Sequence, residues 1–260
     1  MINRIKANST GVSRSCWLAL LLTWCAQPAM AQVTLRVLTD NNPPLAFQDD
    51  RGTFRGLAVD ILLRAVEGTS VNIEFEQLPW PRAYARGLKD PNTCLIGIGR
   101  TAEREPKFRW VGPFVKGGIS LFAMKQRHLK PGGMKEVMAQ GHTVGIARDD
   151  VASVLLTRYP GILSEHIPRQ TLAPKMLESG RFDLWASGRI LGEYRLMEAG
   201  VDAEEVLRVD DTEVSMGCTL ETDAQVVAKV QAGLVQITAR KITSEIERSY
   251  LNRIPLPARK

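Results

Sequence analysis

Histidine is scarce and scattered in this chain. His128, His142 and His166 are the only three among 260 residues, and they show no metal-ligand spacing. There is no C-x-x-C pair and no G-x-S-x-G elbow, so zinc, dithiol redox and serine-hydrolase chemistry lack their usual sequence signs. No apolar run reaches the roughly 20 residues that a membrane-spanning helix needs. Low-complexity segments and repeats are also missing, which argues against a repeat array or a disordered tail.

What is present begins with a leader. Arg4, Lys6 and Arg14 form a basic region, Cys16 to Ala26 an apolar run, and Ala29-Met30-Ala31 a small-x-small cleavage site. This pattern predicts a secretory signal peptide over 1–31, cleaved after Ala31, and an exported, periplasmic chain starting at Gln32. Trp24 is too large for the position before a lipidated cysteine, so Cys25 is not read as a lipoprotein anchor. Removing three basic leader residues lowers the formal charge from +6 to +3. Nucleic-acid binding thereby loses its compositional argument. Two cysteines, Cys94 and Cys218, stay in the mature chain; in an oxidising compartment they are either a disulfide or two buried thiols.

Along the mature chain, strand and helix patterns alternate. Val33 to Leu38 reads as a strand ending at Thr39-Asp40, followed by a turn at Asn41-Asn42-Pro43-Pro44. A helix with Leu57, Ala58, Ile61, Leu62, Ala65 and Val66 on one face comes next, then a strand at Val71 to Phe75, then a helix opened by Trp80-Pro81. A buried strand starts at Cys94, and Ile119 to Met124 forms a further strand before the basic, glycine-containing break Lys125 to Gly133. The alternation restarts beyond it, with strands at Thr143 to Ala147, Ile162 to Ile167 and Phe182 to Ala186 among helices. Strands Val206 to Val209 and Val214 to Leu220 precede a helical tail. The pattern predicts two α/β lobes with largely parallel sheets.

The central stretch is Cys94 to Phe114, CLIGIGRTAEREPKFRWVGPF. Its Gly97-Ile98-Gly99-Arg100-Thr101-Ala102 satisfies the dinucleotide fingerprint in its G-x-G-x-x-A form, but Pro106 breaks the required helix and no carboxylate stands near Phe122 to hold a ribose. No cofactor, metal or catalytic cluster is expected. Instead Gly97, Gly99, Arg100, Thr101 and Arg104 sit at the carboxyl end of a strand, where open α/β sheets bind ligands, and form an anion-ready loop. Asp40 ends the first strand on the same edge. Trp80 stands at a strand-to-helix junction, where an indole can flank a ligand. In the second half, Arg148-Asp149-Asp150 follows a strand and precedes a helix, either as an N-cap or as part of a site. Ser187-Gly188 holds the equivalent position on the next strand.

Leu38-Thr39-Asp40 with Pro43-Pro44, Gly56-Leu57-Ala58-Val59-Asp60-Ile61, Thr101-Ala102-Glu103-Arg104 and Gly180-Arg181-Phe182-Asp183 resemble, in order and spacing, the family 3 bacterial extracellular solute-binding proteins. Trp80-Pro81-Arg82-Ala83-Tyr84 and Trp110-Val111-Gly112-Pro113-Phe114 look like a divergent branch. The resemblance implies a two-lobed type II periplasmic-binding-protein fold with two crossing hinge strands, near Ala123 to Gln126 and Thr212 to Met216. Lobe 1 would span 32–124 and 217–260, lobe 2 125–216. It also implies that the Arg104 position grips a ligand carboxylate with help from the Gly99 backbone N–H, and that an acidic residue near Asp40 receives an ammonium group with one from the second lobe. By the same topology the returning strand brings Cys218 beside Cys94.

The sequence departs from that pattern in the second lobe. The aspartate used by amino-acid binders aligns with Gly188, the Gly-Thr-Thr-like loop aligns with Arg148-Asp149-Asp150, and the aromatic residue before Pro44 is missing. Carboxylate recognition is therefore better supported than amino-acid recognition. The expected protein is a non-enzymatic monomer that captures a small carboxylate-bearing solute for an ABC permease or a membrane receptor. The alternative is an enzyme on the same scaffold resembling cyclohexadienyl dehydratases.

Overall fold

A computed structural model describes residues 32–147 and 150–251. The leader 1–31, Arg148 and Asp149, and the terminal residues from 252 on lie outside the described residues. In chain order the elements are β1 (Val33–Thr39), β2 (Phe47–Gln48), β3 (Phe54–Arg55), α1 (Leu57–Val66), β4 (Val71–Gln77), α2 (Trp80–Gly87) and β5 (Thr93–Gly99). They continue with β6 (Arg109–Lys116), β7 (Ile119–Met124), α3 (Met134–Ala139), β8 (Thr143–Ala147), α4 (Val154–Arg158), β9 (Leu163–Ile167), α5 (Ala173–Glu178) and β10 (Leu184–Gly188). The last are α6 (Arg189–Ala199), β11 (Ala203–Arg208), β12 (Glu213–Cys218), α7 (Ala224–Ala239) and α8 (Ile242–Leu251).

Two five-stranded sheets result, ordered β4-β1-β5-β12-β6 and β11-β7-β10-β8-β9. In the first, β4, β1 and β5 run parallel, and β12 pairs antiparallel with both β5 and β6. In the second, β10, β8 and β9 run parallel while β7 runs against β10 and β11. Helices α1 and α7 bury Leu57, Ile61, Val226, Val230 and Leu234 against the first sheet's core. The C-terminal α8 joins them: the Tyr250 hydroxyl donates to Asp60 Oδ2 at 2.6 Å and accepts from the Gly56 N–H at 3.1 Å.

The sheet changeovers fall elsewhere than the sequence suggests. Strand β7 belongs to the second sheet and β12 to the first, so the chain crosses at Gly117-Gly118 and again over 209–212, before the expected 124/125 and 216/217 points. The reason is physical. Strand β7 is buried at all six positions, so its apolar run fits the core of either sheet, and the basic break after it is a loop rather than a boundary. The two crossings are stapled together. The Gly118 N–H donates to the Thr212 carbonyl at 2.7 Å. The Asp210 carboxylate accepts from the Ile119 N–H at 3.0 Å, the Thr212 N–H at 3.1 Å and the Thr212 hydroxyl at 2.8 Å, and it pairs with Arg158 at 2.6 Å. At Gly118 φ is +106° and a Cβ would stand 2.4 Å from the Asp210 carbonyl oxygen, so only glycine fits there.

Cys94 and Cys218 face each other in the β5–β12 register and form a disulfide, with Cα atoms 3.9 Å apart. The bond joins residues 124 apart in sequence.

Candidate functional site

The carboxyl ends of β1, β5, β8, β9 and β10 open onto one cavity of about 640 Å³, which the crossings at Gly117-Gly118 and Thr212 also line. That is where polar groups at strand ends can converge on a ligand. Of the residues singled out in the sequence, Asp40, Trp80, Gly97, Gly99, Arg104, Asp150 and Gly188 line it. Arg148 and Asp149 lie outside the described residues.

Gly97 has a structural reason to be glycine. In the β5–β12 pairing Ser215 faces Ile98 and Met216 faces Ile96, so Gly97 is the extra residue of a bulge, at φ +75°. The bulge redirects the end of β5 toward the cavity. Beyond Gly99 the chain turns tightly: the N–H groups of Arg104 and Glu105 both donate to the Thr101 carbonyl, at 3.0 and 2.8 Å. The turn carries Arg104 back over the strand end, where Nη1 donates to the Gly99 carbonyl at 3.2 Å. Its guanidinium lies 5.7 Å from the Trp80 ring centre and 5.6 Å from that of Tyr84. These rings come from α2, which Pro81 starts, and they limit the directions in which the guanidinium can swing.

Three expected residues stay out of the cavity. Arg100 points the other way, into a two-pronged pair with Glu105 at 2.7 and 2.6 Å, with its guanidinium 5.4 Å from the Trp110 ring centre. The cause is Pro106, whose short 3-10 turn over Glu105–Lys107 sets Glu105 beside Arg100. Thr101 is buried, its carbonyl taken by the turn just described. Ser187 is fully buried one position before Gly188, where strand alternation points its hydroxyl away from the cavity that Gly188 lines.

Two carboxylates from opposite sheets enter the cavity. Burial pushes the Asp40 carboxyl up to about 6; its own backbone N–H works against that, Asp150 adds to it, and Arg195 opposes it. Burial also pushes Asp150 up, against the Ala152 N–H that it accepts at 2.9 Å, the Gln170 amide and Arg104. Asp150 therefore caps the short turn Val151–Ser153 and faces the cavity at once.

Sequence reasoning missed Arg189, Arg195, His166, Arg169, Gln170 and Thr212, all of which line the cavity. The signal for His166, Arg169 and Gln170 was there, because they end β9 just as Asp150 follows β8. For α6 no signal existed, since arginines in a helix read as a solvated face. Here they are buried: Arg189 pairs with Glu193 at 3.2 Å, and Arg195 pairs with Glu198 at 2.6 Å while donating to the Asn41 carbonyl at 3.2 Å. Among the described residues, no helix is long and apolar enough to cross a membrane, and no group of three or more His, Cys, Asp and Glu could hold a metal ion.

The family model for bacterial extracellular solute-binding proteins, family 3, matches residues 35–253. Among curated proteins no sequence matches. Solved structures are similar over most of the chain. A substrate-binding protein of an ABC uptake transporter from Streptococcus pneumoniae, with bound histidine, is 16% identical, with 84% of this chain and 92% of that one covered and a TM-score of 0.72. A histidine kinase sensor domain with similarity to periplasmic binding proteins is 21% identical, with 85% and 97% covered and a TM-score of 0.72. An ancestral amino-acid-binding protein described as a precursor of cyclohexadienyl dehydratase is 18% identical, with 84% and 94% covered and a TM-score of 0.69. At these identities the likeness shows the fold, the type II periplasmic-binding-protein arrangement.

Proposed function

We propose a function from one premise, that the chain belongs to the bacterial extracellular solute-binding proteins, family 3. It captures a small carboxylate-bearing solute, an amino acid or a related organic acid, in the cavity between its two sheets, and hands it to an ABC-type permease. The observation that carries this reading is Arg104, a guanidinium aimed over the end of β5 and backed by Trp80 and Tyr84 at the cavity wall. A guanidinium offers a two-pronged grip that matches a carboxylate. Gly99, with its backbone beside it, and Thr212 on the crossing segment complete the first-sheet wall. Binding to groups from both sheets favours the closed arrangement by the difference in affinity between closed and open forms. The protein acts as an exported monomer, with lobes that meet at the crossings 117–118 and 209–212.

The test is Arg104→Ala. Truncating a buried partner of a ligand charge costs about 2 to 5 kcal/mol, so calorimetric affinity for the best-binding acid should fall more than tenfold while circular dichroism stays unchanged. Equal affinity in both proteins would sink the reading. A second reading, a periplasmic enzyme on this scaffold, draws on Asp40, a carboxyl pushed up to about 6 inside the cavity and so suited to proton transfer near neutral pH. Product formation from a bound acid favours it; stoichiometric thermal stabilisation with the ligand recovered intact favours capture.

A further inference from the structure

Arg104 answers one anionic group of a ligand, yet the cavity wall carries more positive charge than a single carboxylate balances. Among the described residues it holds four arginines, Arg104, Arg169, Arg189 and Arg195, against two aspartates, Asp40 and Asp150, which burial pushes toward their neutral forms. Arg189 is the one placed to act. It opens α6 directly after β10, in the sheet opposite to the one that supports Arg104. The residue is only 8% exposed, and its two bonds to Glu193, at 3.3 and 3.2 Å, both leave from Nη1. Its Nε has no partner among the described residues. Arg195 on the same helix is similar: Nη1 and Nη2 go to Glu198 and the Asn41 carbonyl, and Nε has no partner. The other unpartnered side-chain atoms of the wall are Asn42 Oδ1 and the Nε2 and Oε1 of Gln170. The glutamine amide holds one of each kind and favours neither sign, so the charged orphans are both donors. A buried donor left unpaired is costly, and a guanidinium edge matches a carboxylate.

The backbone adds to this. Gly188 precedes α6 without a side-chain cap, and Ile190 and Leu191, whose N–H groups lie in the first turn and so lack intrahelical acceptors, line the cavity with Arg189. The N-terminal end of this 11-residue helix favours an anion. Space is no obstacle, since about 640 Å³ falls within the roughly 300–1,000 Å³ of sites that enclose drug-sized ligands.

We propose that Arg189 and the first turn of α6 form a second anion subsite, so that the ligand is a dicarboxylate held by Arg104 from one sheet and by α6 from the other. The inference rests on the assignment of Arg104 to the first carboxylate and names the ligand class of the same cavity. Because the two grips belong to different sheets, a diacid of the right length holds the sheets together, whereas a monoacid engages only one of them. Selectivity follows from the same groups. Replacing the second carboxylate by a neutral amide keeps the length and shape of the ligand, but it removes the charge and sets N–H donors among donors.

The experiment uses the mature chain from Gln32 and paired probes that differ only in the second acid: succinate, glutarate and adipate with their half-amides, and L-aspartate and L-glutamate with L-asparagine and L-glutamine. Thermal shift finds the binders, and calorimetry gives affinities. The expected result is at least tenfold tighter binding of the diacid than of its amide in the best-binding pair. Arg189→Gln should bring that ratio within threefold, and Arg189→Gln combined with Glu193→Gln, which leaves no buried carboxylate without its partner, should do the same. Arg104→Ala should weaken both members of the pair. Equal binding within pairs, or a preference for the amides, overturns the second subsite and leaves the Arg104 reading intact. A diacid preference that survives in the double variant overturns its assignment to α6. Binding of no member of any pair overturns both readings.

Discussion

Asp40 shows how a carboxyl on the cavity wall can weaken the folded protein. An aspartate in an unfolded chain titrates near 3.8, whereas folding pushes this one up to about 6, chiefly by burial. The folded state therefore holds a proton that the unfolded state has lost, and stability falls as pH rises from about 4 through about 6. The upper bound is about 3 kcal/mol, from about 1.4 kcal/mol for each unit. Asp40→Asn should raise the melting temperature of the ligand-free protein at pH 7.5 and leave it nearly unchanged at pH 4. A variant that melts lower at pH 7.5 would show that the carboxylate is well paired in the free protein. The place of Asp40 on the cavity wall was legible from sequence because it directly follows a strand whose carboxyl end opens onto the cavity. Arg100 and Arg104 share one basic loop, so spacing named both, and it was the family resemblance that put the carboxylate grip at Arg104. What separates them physically is the turn closed on the Thr101 carbonyl and the proline that sets Glu105 beside Arg100, and neither effect has a spacing signature.

Strand β12 is the element on which the first sheet depends. It lies between β5 and β6, although it arrives in sequence only after the whole second sheet. The disulfide fixes its register at Cys218 opposite Cys94. A cross-link closing a loop of this length constrains the unfolded chain by up to about 5 kcal/mol. Cys94→Ser with Cys218→Ser should shift the urea midpoint downward by a corresponding amount, and the mature wild-type chain, denatured without reductant, should show no free thiol. Two titratable thiols would refute the bond. Periodicity exposed most elements here, including the α1 and α7 stripes that pack on each other. It did not say which sheet owned β7 or β12, because a strand buried on both faces carries no record of its neighbours.

The chain passes between the two sheets at Gly117-Gly118 and over 209–212, where the Asp210 carboxylate holds Ile119, Thr212 and Arg158, and α6 adds a further contact, Arg195 donating to the Asn41 carbonyl while Ile190 packs into the first sheet's core. Under the proposed capture function, motion between the sheets would turn on the chain crossings, since β6, β7, β11 and β12 are fixed by their ladders. Gly118→Ala, which places a Cβ against the Asp210 carbonyl, should loosen the staple and reduce ligand affinity several-fold while leaving each sheet's core contacts in place; small-angle scattering should show a smaller ligand-induced compaction than in wild type. Unchanged affinity and compaction would remove the crossing from any role in closure. The Asp210 staple also bears on how the molecule is assembled in time. Residues 119 to 208 supply every strand of the second sheet as one unbroken stretch, whereas the first sheet waits for β12. A chain that emerges from its N-terminus can therefore complete the later half first, and the Asp210 clasp becomes the point at which a finished half guides the last strand, and with it Cys218, into the gap left for it.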